Sequence, residues 1–188
     1  MPLLVLLVLL AAMAVASGIS PGGAWAQVFA ADPLVTAAER GDVTAAQKAL
    51  LAGSSPNVRD GKHRTALILA ANLGAVDLVE LLLTRGAIID LDDNEGNTAL
   101  TFAAFKNHDD AVNVLLAAGA AIDRDNKQGE TALMRAAAGG SENAVAALLD
   151  GGADPALTDF TGRTALDLAR ENRRHRIIKI FRKAGISR

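Results

Sequence analysis

From Thr65 onward, apolar residues recur at helical rather than strand spacing. In TALILAANLG (65–74), Leu67, Ala70 and Ala71 fall on one side of a short helix. Thr65 supplies an N-cap hydroxyl and Gly74 ends the segment. In AVDLVELLLTRG (75–86), Val76, Val79, Leu82 and Leu83 give a second helix an apolar face. Gly86 then offers the left-handed position that follows a helix. The remainder, AIIDLDDNEGN (87–97), is polar at its tip, and Gly96 allows a tight reversal. The pattern predicts helix, turn, helix, loop.

The unit returns. Thr65-Ala66-Leu67, Thr98-Ala99-Leu100, Thr131-Ala132-Leu133 and Thr164-Ala165-Leu166 lie 33 residues apart. Gly53, Gly86, Gly119, Gly152 and Gly185 keep that spacing, as do Asp60, Asp93, Asn126 and Asp159. Small pairs recur on the first helix of successive units, at Ala37-Ala38, Ala70-Ala71, Ala103-Ala104 and Ala136-Ala137. Small side chains let neighbouring units approach closely. One unit cannot bury its apolar face alone, so a period of this length predicts a stacked all-α array.

A different pattern occupies the start. Leu3 to Ala16 is an uninterrupted apolar run of 14 residues, followed by Gly18, Pro21, Gly22 and Gly23 and then Ala24-Trp25-Ala26. This reads as a secretory signal over 1–26 with cleavage before Gln27, although no Lys or Arg precedes the run. A retained anchor is the weaker reading, because the run falls short of the roughly 20 residues that span a bilayer. Residues 27–31 form a short segment before the repeats. The expected location is therefore periplasmic or secreted, with no stable membrane anchor after cleavage.

Composition agrees with packed helices. Of 188 residues, 51% are hydrophobic and 3% aromatic, with no Tyr and one Trp. The absence of Cys excludes disulfides, thiolate metal sites and thiol nucleophiles. An exported chain without Cys suits a bacterial periplasm.

The segments TALILAANLGAVDLVELLLTRGA (65–87), TALTFAAFKNHDDAVNVLLAAGA (98–120) and TALMRAAAGGSENAVAALLDGGA (131–153) resemble the ankyrin repeat. The resemblance covers Asp32 to Arg188. It implies a solenoid of about five helix-turn-helix units joined by β-hairpin-like loops, at 32–64, 65–97, 98–130, 131–163 and a shortened capping unit at 164–188. The usual Thr-Pro-Leu-His opening is altered. Ala66, Ala99, Ala132 and Ala165 replace Pro, and Ile68, Thr101, Met134 and Asp167 replace His. Thr alone is then expected to start these helices. In the first unit, Asp32 and Pro33 take that task. Arg135 replaces an apolar residue of the motif, and its head is expected at the surface over a packed stem.

Catalytic chemistry has little to work with. His63, His108 and His175 sit in different units at different positions, and surface histidine is the plain reading. The acidic run Asp90 to Gly96 lacks the Gly and Glu placement of a calcium loop. There is no nucleophile elbow and no phosphate-binding Gly loop. No enzyme activity, cofactor or metal is expected.

The resemblance instead implies a concave binding face made of loop tips and inner-helix ends, with another protein as partner. The matching candidates are Asn72, Leu73, Asn94, Glu95, Phe105, Lys106, Lys127, Gln128, Phe160 and Thr161. Leu73, Phe105 and Phe160 stand out, since aromatic and apolar anchors carry binding hot spots. Phe160 either serves as such an anchor or packs against its own loop. The expected partner is another protein, such as an exported enzyme that docking protects, recruits or inhibits. A monomer is expected.

One stretch points elsewhere. Arg170 to Lys183 holds seven Arg or Lys and one Glu in a chain of net charge −2. An anionic-surface or nucleic-acid binder is the alternative reading, although the export signal argues against nucleic acid. In register, Ile177, Ile178, Ile180 and Phe181 fall on core positions of a final outer helix. The cations are then expected to cover a face on which no further unit stacks. The layout makes two stability predictions, both read by thermal melting. Leu82→Ala should cost about 2–5 kcal/mol through a cavity. Gly86→Val should destabilise by placing a branched residue at positive φ. Unchanged melting of both variants would contradict the layout.

Overall fold

The computed structural model describes residues 32–187. The expected leader at 1–26 and the segment 27–31 lie outside the described residues. Ten helices follow in pairs: α1 (Pro33–Arg40) and α2 (Val43–Leu51), α3 (Ala66–Leu73) and α4 (Val76–Thr84), α5 (Ala99–Phe105) and α6 (Asp109–Ala117), α7 (Ala132–Gly139) and α8 (Glu142–Asp150), α9 (Ala165–Glu171) and α10 (His175–Lys183). The odd-numbered helices form an inner row in which each packs on the next, and the even-numbered helices form an outer row. Among the described residues, pairing of extended backbone is confined to isolated bridges, Arg59 with Thr65 and Thr158 with Thr164. The architecture is the all-α repeat solenoid that the 33-residue period predicts.

Each inner helix starts where its cap stands. Thr65 Oγ1 accepts from the Ile68 amide at 3.3 Å, and Thr131 Oγ1 from the Met134 amide at 3.4 Å. At α1, Asp32 accepts from the Leu34 amide at 2.7 Å and Pro33 opens the helix. The expectation that Thr acts alone holds at Thr65 and Thr131 but not at α5 and α9. There, Thr101 and Asp167 reach back to the N-cap amides of Thr98 and Thr164 and close capping boxes. The residues that displaced His thus restore the lost hydrogen bonding in two of the four repeats that carry the Thr opening.

The core is a continuous stripe. Ala70, Ala71, Ala103, Ala104, Ala136 and Ala137 are fully buried between neighbouring inner helices. Leu78, Val79 and Leu82 of α4, Val112 and Leu115 of α6, and Val145 and Leu148 of α8 close it from the outer row. At about 1.5–3 kcal/mol per buried aliphatic side chain, this stripe is the main favourable contribution to folding. In α10, Ile177 and Phe181 are buried while Ile178 and Ile180 are half-buried, so the basic stretch is a true outer helix.

Two rows of polar bonds lock one repeat to the next. In the first, a side chain at the N-cap of an outer helix donates to the inner-helix C-terminus of the preceding repeat. His108 Nε2 donates to the Asn72 carbonyl (3.2 Å), Ser141 Oγ to that of Phe105 (2.8 Å) and Arg174 Nε to that of Ala138 (3.0 Å). Helix C-termini leave such carbonyls without intrahelical partners, and their partial negative charge favours a donor. His108 is therefore an inter-repeat tie rather than the solvated histidine its position suggested. Its ring lies over Gly74, where a Cβ would come within 2.6 Å. Gly74 also has φ 71°, so both the close approach and the backbone require glycine. In the second row, Asn57, Asp90 and Asp123 accept from the amides of Ile88, Ala121 and Asp154 at 2.8, 3.1 and 3.0 Å.

One cap is borrowed across repeats. Ser141 is the N-cap of α8, but its hydroxyl is committed to Phe105. Asn107 of the preceding repeat instead accepts from the amides of Asn143 (3.0 Å) and Ala144 (3.2 Å). The expectation that the cations of the last repeat cover the open end is met only in part. Arg174 turns back to Ala138, and Arg176 reaches Glu142 at 3.3 Å.

Candidate functional site

The loops between repeats are built to one plan. Asp60, Asp93, Asn126 and Asp159 each use Oδ1 to accept two amides of their own tip, two and four residues on, at 2.8–3.0 Å. The backbone closes the same turn, from the amide of Asp60 to the carbonyl of Arg64 and at the three equivalents. Short Asx side chains bond their own backbone in this way and so replace a flexible loop with a fixed turn.

The tips also join one another. The amide of Asn94 donates to the Lys62 carbonyl (3.2 Å), that of Lys127 to Glu95 (3.0 Å) and that of Phe160 to Gln128 (3.1 Å). A main-chain ladder therefore runs along the tips, with Lys62, Asn94, Glu95, Lys127, Gln128, Phe160 and Thr161 exposed upon it.

Beside the tips, the inner helices present a second row. Leu73 is 45% exposed and Phe105 is 37% exposed. Two cations lie near the Phe105 ring: the Arg135 guanidinium is 4.6 Å from its centroid and Lys106 Nζ is 5.7 Å away. Such contacts hold a ring face in place. Arg135 Nη1 also reaches Glu130 at 3.3 Å, so the expected exposed head is in part tied down, and its buried Nε has no partner. Asn72 is half-buried, with its carbonyl taken by His108.

The residue profile described as "Ankyrin repeats (3 copies)" matches this chain at residues 34–126 and again at 118–187. The chain belongs to the ankyrin-repeat family. No curated protein matches it. Ankyrin repeats generally serve as protein–protein interaction modules and are typically non-catalytic. Among the described residues, no group of three or more His, Asp or Glu is placed to hold a metal ion.

In this ankyrin array the two aromatic candidates mark separate centres, with Asn94, Glu95, Lys127 and Gln128 on the tips between them. One is Phe105 with Lys106 on the inner-helix surface, and the other is Phe160 with Thr161 on the last tip. Phe160 is 74% exposed and does not fold onto its own loop. Its ring rests against Gly129 of the preceding tip, where an added Cβ would meet it at 2.6 Å. Thr161 is partly committed, since its hydroxyl donates to Asp159 at 2.7 Å. Arg135 joins the first centre and was not among the candidates. Its only sequence signal was a charge at a position the motif keeps apolar.

Several charges that looked available are neutralised within the array. Arg64 pairs with Asp60 (2.6 Å) and Glu39 (3.7 Å), and Arg163 pairs with Asp159 (2.7 Å) and Glu171 (3.2 Å). Burial alone would raise the Asp159 pKa. Hydrogen bonds from the Arg163 amide, from Thr161 and from the Arg163 guanidinium outweigh it and hold the carboxyl far below the usual carboxylate range. Asp60 is lowered in the same way, with burial opposed by Arg64, and Asp167 is lowered chiefly by Thr164. A carboxylate whose folded pKa is depressed contributes stability above its unfolded value, near 3.8 here, and loses it as pH falls toward the folded value. Melting temperature should therefore hold down to about pH 4 and fall below it. Asp159→Asn keeps the turn acceptor, as Asn126 does naturally, but loses the charge. It should melt a few degrees lower at pH 7 and show a shallower acid loss. An acid profile identical to that of the parent chain would contradict this assignment.

Proposed function

We propose that this ankyrin array is an exported, periplasmic protein that binds a partner protein through its concave face and has no catalysis of its own. Cleavage before Gln27 would release the mature chain without a membrane anchor. The partner is an exported protein, such as an enzyme that docking protects, recruits or inhibits. The observation that carries the reading is the fixed ladder of loop tips beside exposed Leu73, Phe105 and Phe160. A surface already held in its bound shape loses little loop entropy on binding, and exposed aromatic anchors on it make hot spots. No second reading of this face has an observation of its own.

The test begins with crosslinking and mass spectrometry of the exported fraction, followed by affinity measurement with the captured partner. Phe160→Ala removes the most exposed anchor without opening the core. It should weaken binding by about 30-fold, the scale of a 2 kcal/mol hot spot, at unchanged melting temperature. Phe105→Ala should act similarly, with melting measured alongside because the ring also supports Arg135. If both variants keep parental affinity, the concave face is not the binding surface. The mature protein should begin at Gln27, and a membrane-bound form beginning at Met1 would overturn the export reading.

A further inference from the structure

The cations of the last repeat fall into two groups when compared position by position with earlier repeats. His175 and Arg182 stand where Val76, Asp109 and Glu142, and Leu83, Leu116 and Leu149, are half-buried. Those two positions are uncovered because no described repeat packs beyond the fifth, and polar residues there are what a terminal cap requires. Arg176, Lys179 and Lys183 are different. The positions of Arg176 and Lys183 are exposed in every repeat, at Asp77, Asp110 and Asn143 and at Thr84, Ala117 and Asp150. That of Lys179 is exposed at Glu80 and Asn113 and half-buried only at Ala146. Capping therefore gives these three no reason to be cationic.

The outward stripe also changes sign along the array. It is neutral in the first repeat (Thr44, Gln47, Leu51) and negative in the next three. In the last repeat it becomes wholly positive, with Arg176, Lys179 and Lys183. Among the described residues no carboxylate pairs with Arg173, Lys179, Arg182 or Lys183, and Arg176 meets Glu142 while its side chain stays 81% exposed. The patch contains no large exposed hydrophobic residue. Leu51, Leu73, Ile88, Phe105 and Phe160 all lie in earlier repeats. Protein hot spots place Trp, Tyr or Arg in well-packed, desolvated pockets, and single-stranded nucleic acid uses aromatic stacking platforms; the cations here stand exposed with neither. A lipid surface needs neither. It is a delocalised anion recognised by charge alone, with each Lys or Arg within a Debye length adding to the attraction.

We propose that the outward face of α10 is a docking surface for anionic phospholipid headgroups, centred on Arg176, Lys179 and Lys183. The lysine and arginine heads lie over the headgroup layer while Ile177 and Phe181 stay in the core. Attachment is reversible and sensitive to salt. It is separate from partner binding, because none of these residues belongs to the loop tips or the inner helices.

Co-sedimentation of the full chain with vesicles tests this. The probes are equimolar phosphatidylglycerol and phosphatidylcholine against phosphatidylcholine alone, at low and high salt. The protein should sediment with the anionic vesicles only, and release as salt rises. Arg176→Glu with Lys179→Glu and Lys183→Glu should weaken binding at least about tenfold, with melting lowered only slightly by loss of the exposed Arg176–Glu142 pair. The milder pair Lys179→Gln and Lys183→Gln should give an intermediate loss and keeps the test open if the triple variant folds poorly. Equal binding to neutral vesicles, or no effect of either variant, overturns the proposal. Tighter binding to duplex DNA than to anionic vesicles at the same salt overturns it in favour of nucleic acid.

Discussion

Lateral attachment between repeats is the constraint on which everything else in this molecule depends. No helix pair here has a core of its own, and each acquires one only when the next pair lies against it in register. The register is 33 residues, and it is enforced at several levels at once. Buried alanine pairs set how close the inner helices come. Outer-helix side chains tie the ends of the preceding inner helices. Asn57, Asp90 and Asp123 tie the loop starts, and the tips tie to one another through the main chain. A slip of one residue would break all of these bonds together, so nonpolar burial supplies the energy and the polar rows supply the register.

The fold was legible because its markers are strict. Thr at the cap, paired Ala inside and Gly after each outer helix have few substitutes, and each recurs at a fixed distance. The polar ties were less legible, for a physical reason. His108, Ser141 and Arg174 share no residue type, yet each presents a donor at the same height above a free helix-end carbonyl. Donor geometry is retained while identity varies, so no motif is visible along the chain. Phe105 and Phe160 were recognisable as candidates from their register. What they lean on, Arg135 and Gly129, came only with the neighbouring repeat in place. Of the last helix, the apolar register was legible and the aim of Arg174 and Arg176 was not.

The same ties shape what the surface can do. An Asx oxygen inside each tip and a main-chain bond between tips remove the freedom that loops usually keep. Some of the charge beside the loop tips is spent internally, as in Arg64 with Asp60 and Arg163 with Asp159. What is left for a partner is a fixed relief with a few apolar prominences. The outer row carries the opposite specialisation, with no anchors at its last helix but a single sign of charge. An array of this kind can present two unlike surfaces because inner and outer positions alternate within each repeat and are set independently.

The central claim is that the tips form a rigid, bonded ladder before any partner arrives. Residue-resolved hydrogen exchange on the free protein tests it most directly. The amides of Asn94, Lys127 and Phe160, each bonded to the tip of the preceding repeat, should exchange about as slowly as inner-helix amides of their own repeats. Exchange of these three at the rate of unprotected backbone would show that the tips are free in solution, and the preordered binding face would not exist.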